Sequence, residues 1–400
     1  MSWRGGFGTS RLAVMSLAKG TTRPLDLPGS IAPLAVLDGK LIYVSATGSL
    51  MAVPFDGRQA RITGVPLPVG GGISVYAGTG AVLAAISRSG TLVLESGATT
   101  SQLMLADLQG RMRALVPEAK NYSFPRFSPD GKRIAAGVTT YTSTDIWIDD
   151  LASGTSRRLT TEGTNDRAEW TPDGKRVLYD AIDHHRQDVS ELWWQPSDGS
   201  GAPERLQGAA GRDGVYEGVI SQNGGVLAYR MNGPTANNDV WYRRLDGDTI
   251  SKPIVSTKAF AELAPRFSPD GRWVAYASDQ SGQSEVYVRA FPALGALYAV
   301  SVGGGTTPVW APDGRHIYYL ANGQINVATV ATTPSFTVTS RHQLFEIPFN
   351  IAANVHASFD VAPDGQHLLL VKPTSGETQV VVVHDWKYEL RDRLAQAGKR

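Results

Sequence analysis

Cysteine is absent from the 400 residues. Its absence excludes disulfides, cysteine nucleophiles, thiolate zinc sites and iron–sulfur ligation. No run approaches the ~20 apolar residues needed to span a bilayer. The opening Met1-Ser2-Trp3-Arg4-Gly5-Gly6 lacks the apolar stretch of a secretory signal. As written, the chain is expected to be a soluble globular protein, without a membrane span and without its own export device. A surplus of one charge is missing too: 38 Lys and Arg stand against 37 Asp and Glu, a net charge of +1. Nucleic-acid binders normally carry a basic surplus on one face, so no nucleic-acid partner is expected. Three local catalytic signatures are also missing: a Gly-x-Ser-x-Gly elbow, a phosphate-binding Gly-x-x-x-x-Gly-Lys-Ser/Thr loop and a His-Glu-x-x-His metal motif. Any active site must be assembled from segments distant in the chain.

The chain is rich in breakers, with 43 glycines and 23 prolines, yet 42% of its residues are apolar. That combination predicts many short elements around a sizeable core rather than long helices. The breakers recur in a pattern. An apolar run, then Ser/Thr/Ala-Pro-Asp-Gly, then a second apolar run appears at Phe127–Gly131, Trp170–Gly174, Phe267–Gly271, Trp310–Gly314 and Val361–Gly365. Degenerate copies end at Gly224, Gly39 and Gly80. Proline presets one corner of such a turn, Asp bonds back to its own backbone and Gly accepts the positive φ. A third run follows each pair, as in Asp145-Ile146-Trp147-Ile148 and Glu285-Val286-Tyr287-Val288, then a weaker fourth. Four strands per unit, at glycine separations of 41 to 51 residues, are the signature of a β-propeller blade.

Eight turn glycines predict an all-β fold: a single eight-bladed β-propeller of four-stranded antiparallel blades, with seven blades as the runner-up. The expected organisation is an N-terminal extension over residues 1–8, a propeller over 9–385 and a C-terminal helix and tail over 386–400. Trp386, Leu390 and Leu394 stand at helical spacing, which predicts a helix from Trp386 to Ala397. The ring is expected to close by joining outer strands near Arg11–Leu17 and Thr21–Leu25 to inner strands around Gly365. Phe127, Trp170, Ile220, Phe267, Trp310 and Val361 share one register and read as packing between blades.

Phe267-Ser268-Pro269-Asp270-Gly271, followed by Ser284-Glu285-Val286-Tyr287-Val288, resembles the TolB-like propeller repeat. Gly48–Asp56, Asp145-Ile146-Trp147 and the tail Val381–Trp386 extend the likeness to the C-terminal propeller of bacterial membrane-bound serine/threonine protein kinases. That resemblance implies a bacterial sensing or interaction module outside the cytoplasm. The kinase domain itself is absent, because no kinase Gly-rich loop, His-Arg-Asp or Asp-Phe-Gly occurs here.

Residues five to nine positions before each turn glycine should ring one mouth of the channel. They supply candidate ligand-binding residues Tyr122, Arg126, Asp166, Arg167, Glu169, Tyr216, Glu217, Glu262, Arg266 and Asp360. The plain reading of this mixed rim is a set of ion pairs between blades. The functional reading is a polar site, with arginines for carboxylate or phosphate groups and tyrosines for sugars. His356, Glu262 and Glu217 form a candidate set for a divalent metal, an imidazole–carboxylate site. Two functions follow: a non-enzymatic interaction propeller, expected to be a monomer, that binds a protein, peptide, glycan or polar small molecule at the mouth; or a hydrolase or lyase, metal-dependent in one version, at the same place.

Overall fold

The computed structural model describes residues 12–17, 19–27, 29–45, 48–70, 73, 75–76, 81–96, 100–140, 143–182, 189–208, 214–232, 238–247, 249–349, 356–374 and 379–397. The 1–8 extension, the turn at Gly80 and the Asp183-His184-His185 loop lie outside them. The chain forms two compact units, one from Met1–Thr100, Thr139–Thr144 and Thr374–Arg400, the other from Ser101–Val138 and Asp145–Pro373.

The second unit contains six four-stranded antiparallel sheets. Five are local meanders, here called blades 1 to 5, whose inner strands are Tyr122–Phe127, Thr164–Trp170, Val215–Ile220, Glu262–Phe267 and Thr306–Trp310. Blade 6 is shared between distant segments. Phe359–Val361 and His367–Pro373 are its inner strands, and Ser101–Asp107 and Met112–Ala114 are its outer ones. Each inner strand meets the next, and Phe359–Val361 meets both Thr306–Trp310 and Tyr122–Phe127. The ring therefore closes with six blades, and the count of eight is not confirmed. The six turn glycines 131, 174, 224, 271, 314 and 365 belong one to each blade.

The repeat copy at Gly39 is a different object. Asp38 and Gly39, at φ 48° and 71°, form a two-residue hairpin turn between Leu37 and Lys40, the mirror-image geometry that such short connections favour. Gln379–Val383 follows the second strand of the last blade in sequence, yet it pairs with Leu92–Ser96. Ser101–Asp107 takes the third place by pairing with His367–Pro373 over seven residues. Among the described residues Ala13–Ser16 and Thr21–Pro24 form a two-stranded sheet of their own, apart from the sheet that closes the ring. The expected helix spans Trp386–Ala397 and buries Trp386 and Leu390 among Ile42, Val44, Leu50 and Leu92 of the first unit.

Six apolar clusters hold the ring together, one at each junction between neighbouring blades. Trp170 joins blades 1 and 2, Trp310 joins blades 4 and 5, and Val361 joins blades 5 and 6. The turns repeat at atomic level. Ser128 Oγ donates to Asp130 Oδ1 at 2.6 Å while accepting from Arg133 N at 2.9 Å. Ser268 and Asp270 reproduce the same contacts. Blades 5 and 6 begin this turn with Ala311 and Ala362, which have no hydroxyl. There His316 and His367 place Nδ1 2.7 Å from Asp313 and Asp364, so these two histidines belong to the turns.

Leu369 of the shared blade lies opposite Leu105 and has no exposed surface. Leu369→Ala should cost about 3 kcal/mol in urea unfolding, whereas Val380→Ala, at an exposed position, should cost little. Equal effects would refute closure of the ring through this blade.

Candidate functional site

Each inner strand of blades 1 to 5 carries one extra residue at the same place. Register shifts interrupt the pairing between Ser123 and Arg126, Asp166 and Glu169, Tyr216 and Val219, Leu263 and Arg266, and Thr306 and Val309. Inside each shift sits a non-glycine residue at positive φ, seven positions before the turn glycine: Phe124 at 46°, Arg167 at 53°, Glu217 at 57°, Ala264 at 53° and Thr307 at 52°. Such bulges bend a strand and re-aim its side chains. Five-fold repetition marks them as part of the blade rather than local strain.

Beyond the bulge, the residues five positions before the turn glycine converge. Arg126, Glu169, Val219, Arg266, Val309 and Asp360, one from each blade, line a central recess of about 450 Å³. Glu169 Oε1 accepts from Arg126 Nε and forms an ion pair with Arg266 Nη2, each at 2.6 Å. Arg126 Nη1 donates to the carbonyls of Pro125, Ala357 and Phe359 at 2.8, 3.0 and 3.1 Å, tying blade 1 to the segment entering blade 6. Its Nη2 lies 2.9 Å from His356 Nε2, and Arg266 Nη2 approaches the same nitrogen at 3.5 Å. Asp360 Oδ2 accepts from Phe127 N at 2.8 Å. Burial raises the Asp360 pKa to about 6. Burial, helped by Arg126, pulls Arg266 below its ordinary value against the opposing field of Glu169.

His356 has no exposed surface. Burial first, then Arg126 and Arg266, holds its pKa well below the usual 6.5, so the ring is neutral. Nε2 then accepts from Arg126, and the proton sits on Nδ1, which is buried without a hydrogen-bond partner. Two guanidinium groups beside an imidazole are a poor surrounding for a cation. Among the described residues no three His, Asp or Glu side chains are grouped to hold a metal, and His356, Glu262 and Glu217 have separate partners.

A second charged chain joins blades 2, 3 and 4. Arg167 Nη1 pairs with Asp180 Oδ2 at 3.0 Å. Asp180 Oδ1 accepts from Glu217 N at 3.0 Å, and Glu217 Oε2 accepts from Ala264 N at 2.9 Å. Arg230 Nε lies 3.1 Å from Glu217 Oε1, and its guanidinium stacks on Tyr216 at 4.4 Å. An acid from one blade thus caps the bulge N–H of the next. Asp166 accepts from Ser123 Oγ at 2.8 Å. A Cβ at Gly137 would lie 2.3 Å from Asp166 Oδ1, which explains a glycine in the middle of a buried strand.

The other candidates stand apart. Tyr122 packs beside Lys120, whose ammonium lies 5.8 Å from its ring, and its backbone N–H donates to Ser101 Oγ. Glu262 accepts from Thr257 Oγ1 at 2.9 Å, while its Oε2 is buried without a partner. Burial, with Asp239 nearby, raises its pKa from 4.5 to about 7. Sequence reasoning missed Asp180 and Arg230. Both stand six positions after a turn glycine, and each is a lone charge ending a run of apolar second-strand residues, Val177-Leu178-Tyr179 and Leu227-Ala228-Tyr229. That break in polarity was the available signal.

A ring of four-stranded meanders closed by a shared blade, with charges meeting on its axis, is a β-propeller. Its structural neighbours are TolB-like propellers. The TolB-type protein of Agrobacterium tumefaciens matches 69% of this chain and 99% of its own, with TM-score 0.56 and 17% identity. TolB of Acinetobacter baumannii matches 86% and 80%, with TM-score 0.46 and 15% identity. In sequence, an uncharacterized protein of Agrobacterium fabrum is 27% identical over 206 residues, 48% of this chain and 67% of that one. No family model matches. These relatives are bacterial, and the structural likeness defines the fold alone.

Two substitutions test the electrostatics. Glu169→Gln leaves Arg126 and Arg266 adjacent without their shared carboxylate, and should cost about 3 kcal/mol in chemical denaturation. Adding Arg266→Met should recover part of that loss; no loss in the single variant would mean the pairing is idle. Glu262 holds its proton to higher pH in the fold than in the unfolded chain, because its pKa is raised. Its stabilisation is therefore fully present below pH 4.5 and is lost as pH rises through about 7, a change on the order of 3 kcal/mol. Melting curves from pH 5 to 9 should show that this loss is smaller in Glu262→Gln than in the wild type. Parallel profiles would contradict it.

Proposed function

We propose that this chain is a non-enzymatic interaction propeller whose central recess binds a carboxylate group on a protein, peptide or glycan partner. One contrast carries the reading. Arg126 has every guanidinium nitrogen engaged, on Glu169, three carbonyls and His356. Arg266 lines the same recess, and its partners, Glu169 and His356, both lie on Nη2. Its Nε and Nη1 have no hydrogen-bond partner among the described residues. A guanidinium with an open edge, at the foot of a recess walled by all six blades, suits two-point recognition of a carboxylate.

The competing reading is a hydrolase or lyase at the same mouth. It needs a base or metal ligand open to substrate. His356 is the natural candidate, yet its Nε2 is covered by Arg126 and its Nδ1 is buried, which favours binding over chemistry. A TolB-like fold is compatible with protein interaction, and an extracytoplasmic sensing role remains what the resemblance to the kinase-linked propellers implies.

Thermal-shift measurements with N-acetylglutamate and galacturonate, against N-acetylglutamine and glucose, test the idea. The acids should raise the melting temperature of the wild type by about 2 °C and leave Arg266→Gln unmoved. Neutral probes acting as well as acids would sink it, and a shift caused by divalent cations would favour the hydrolase.

A further inference from the structure

The ring of turns around the recess is interrupted beside blade 3. At four junctions the turn glycine packs on the proline of the preceding blade. A Cβ on Gly131, Gly174, Gly314 or Gly365 would meet Pro363, Pro129, Pro269 or Pro312 at 3.6, 3.6, 3.8 or 3.9 Å. Gly224 and Gly271, on the two sides of blade 3, have nothing within 4 Å. The blade 3 turn is Ser221-Gln222-Asn223-Gly224, with Gln222 in place of proline.

A latch is open at the same edge. Two residues past its turn glycine, Arg133 of blade 1 reaches into blade 2, donating to Gly174 O at 3.1 Å and Ser197 Oγ at 3.2 Å. Its counterpart Arg176 of blade 2 stays within its own blade. There it stacks on Trp194 at 4.5 Å and donates to Glu204 Oε2 at 2.9 Å. Glu204 also accepts from Trp194 Nε1 at 3.2 Å, which fixes the stacked plate in place. Between blades 2 and 3 a cleft of about 660 Å³ opens, with Lys175, Arg176 and Trp194 on one wall and Gln222 and Asn223 on the other. It shares Pro172, Ile220 and Gln222 with the central recess, so the two adjoin.

We infer that this cleft is a second subsite, in which an extended acidic peptide lies after placing one carboxylate at Arg266. The inference rests on the recess reading above and adds the ligand class and its path. Charge favours an acidic occupant. Asp173 is taken up by its own turn, accepting from Thr171 Oγ1 and Lys175 N, and Glu204 by Arg176 and Trp194. The Lys175 ammonium has no hydrogen bond or ion pair among the described residues, and Arg176 has Nε and Nη2 beyond its bond to Glu204. The lining carries two cations, Lys175 and Arg176, against the single carboxylate of Asp173, and the donors left open on this wall are the ammonium and two guanidinium nitrogens. The Gln222 and Asn223 amides can donate and accept, matching the alternating groups of an extended backbone, and the half-buried Trp194 offers an apolar surface.

The test is fluorescence anisotropy with a labelled Asp/Glu-rich octapeptide, compared with N-acetylglutamate as competitor and with a sulfated oligosaccharide. Asn223→Asp keeps the hydrogen bonds of the blade 3 turn, leaves the recess lining unchanged and puts a carboxylate on the wall opposite Lys175. Lys175→Glu, an exposed change, reverses its charge without touching the core. The octapeptide should bind the wild type about tenfold more tightly than N-acetylglutamate does, and both variants should lose that advantage while still binding N-acetylglutamate. If both variants hold the octapeptide as the wild type does while Arg266→Gln does not, the cleft is refuted and the recess stands. An octapeptide no tighter than N-acetylglutamate also refutes the cleft. Tight, variant-sensitive binding of the oligosaccharide alone would overturn the peptide assignment, and binding of neither acid would remove recess and cleft together.

Discussion

A four-stranded meander with apolar residues on both faces cannot remain in water alone, and everything else in the ring follows from that. Each blade removes one face of its neighbour from solvent, so the arrangement ends only when the last sheet meets the first. Here the meeting sheet is built from both ends of the ring segment. Ser101–Asp107 and His367–Pro373 pair strand to strand, and Arg126 bonds the carbonyls of Ala357 and Phe359 across the seam. A site with one residue from every blade can be held only while that seam holds, so stability of the closure and geometry of the recess are one property.

Closure also dictates what can stand on the axis. Six inner strands bring six side chains to one level, and charges there must be paired because little water reaches them. Blade 4 supplies Arg266 and blade 2 supplies Glu169; they meet across blade 3, whose residue at that level is Val219. A longer side chain in place of Val219 would occupy the space through which Arg266 reaches. The neutral state of His356 has the same origin, since burial disfavours its charged form and Arg126 and Arg266 add to that.

The blades were legible in the sequence wherever turn chemistry was complete, because proline, Asp and Gly each meet a backbone demand that few other residues satisfy. Their number was less legible. Asp38-Gly39 spells the end of a blade turn, yet it closes a two-residue hairpin, and the two geometries share their last two letters. Closure escaped for a related reason: Gln379–Val383 and Ser101–Asp107 are equally strand-like, and only packing decides which one pairs with His367–Pro373. Of the candidate residues, those five before the glycine converge, since that position lies beyond a repeated bulge. Tyr122 and Glu262, nine before it, lie on the other side of that bulge and have partners of their own.

Repetition makes the fold, and departures from it are where binding becomes possible. Four junctions repeat a glycine–proline contact, and at blade 1 an arginine latches across the edge; such junctions are closed because they obey the pattern. Blade 3 carries the least recognisable turn, with Gln222 and Asn223 where others have proline and Asp. Gly224 does not meet Pro172 as its counterparts meet the prolines before them, and Arg176 turns back onto Trp194. In a ring held by like contacts, losing one of them costs the closure little, because the apolar cluster beneath, Leu178, Leu192, Leu227 and Tyr229, remains intact. The surface above that cluster is then released from packing, and the polar and aromatic groups exposed there are available for a partner.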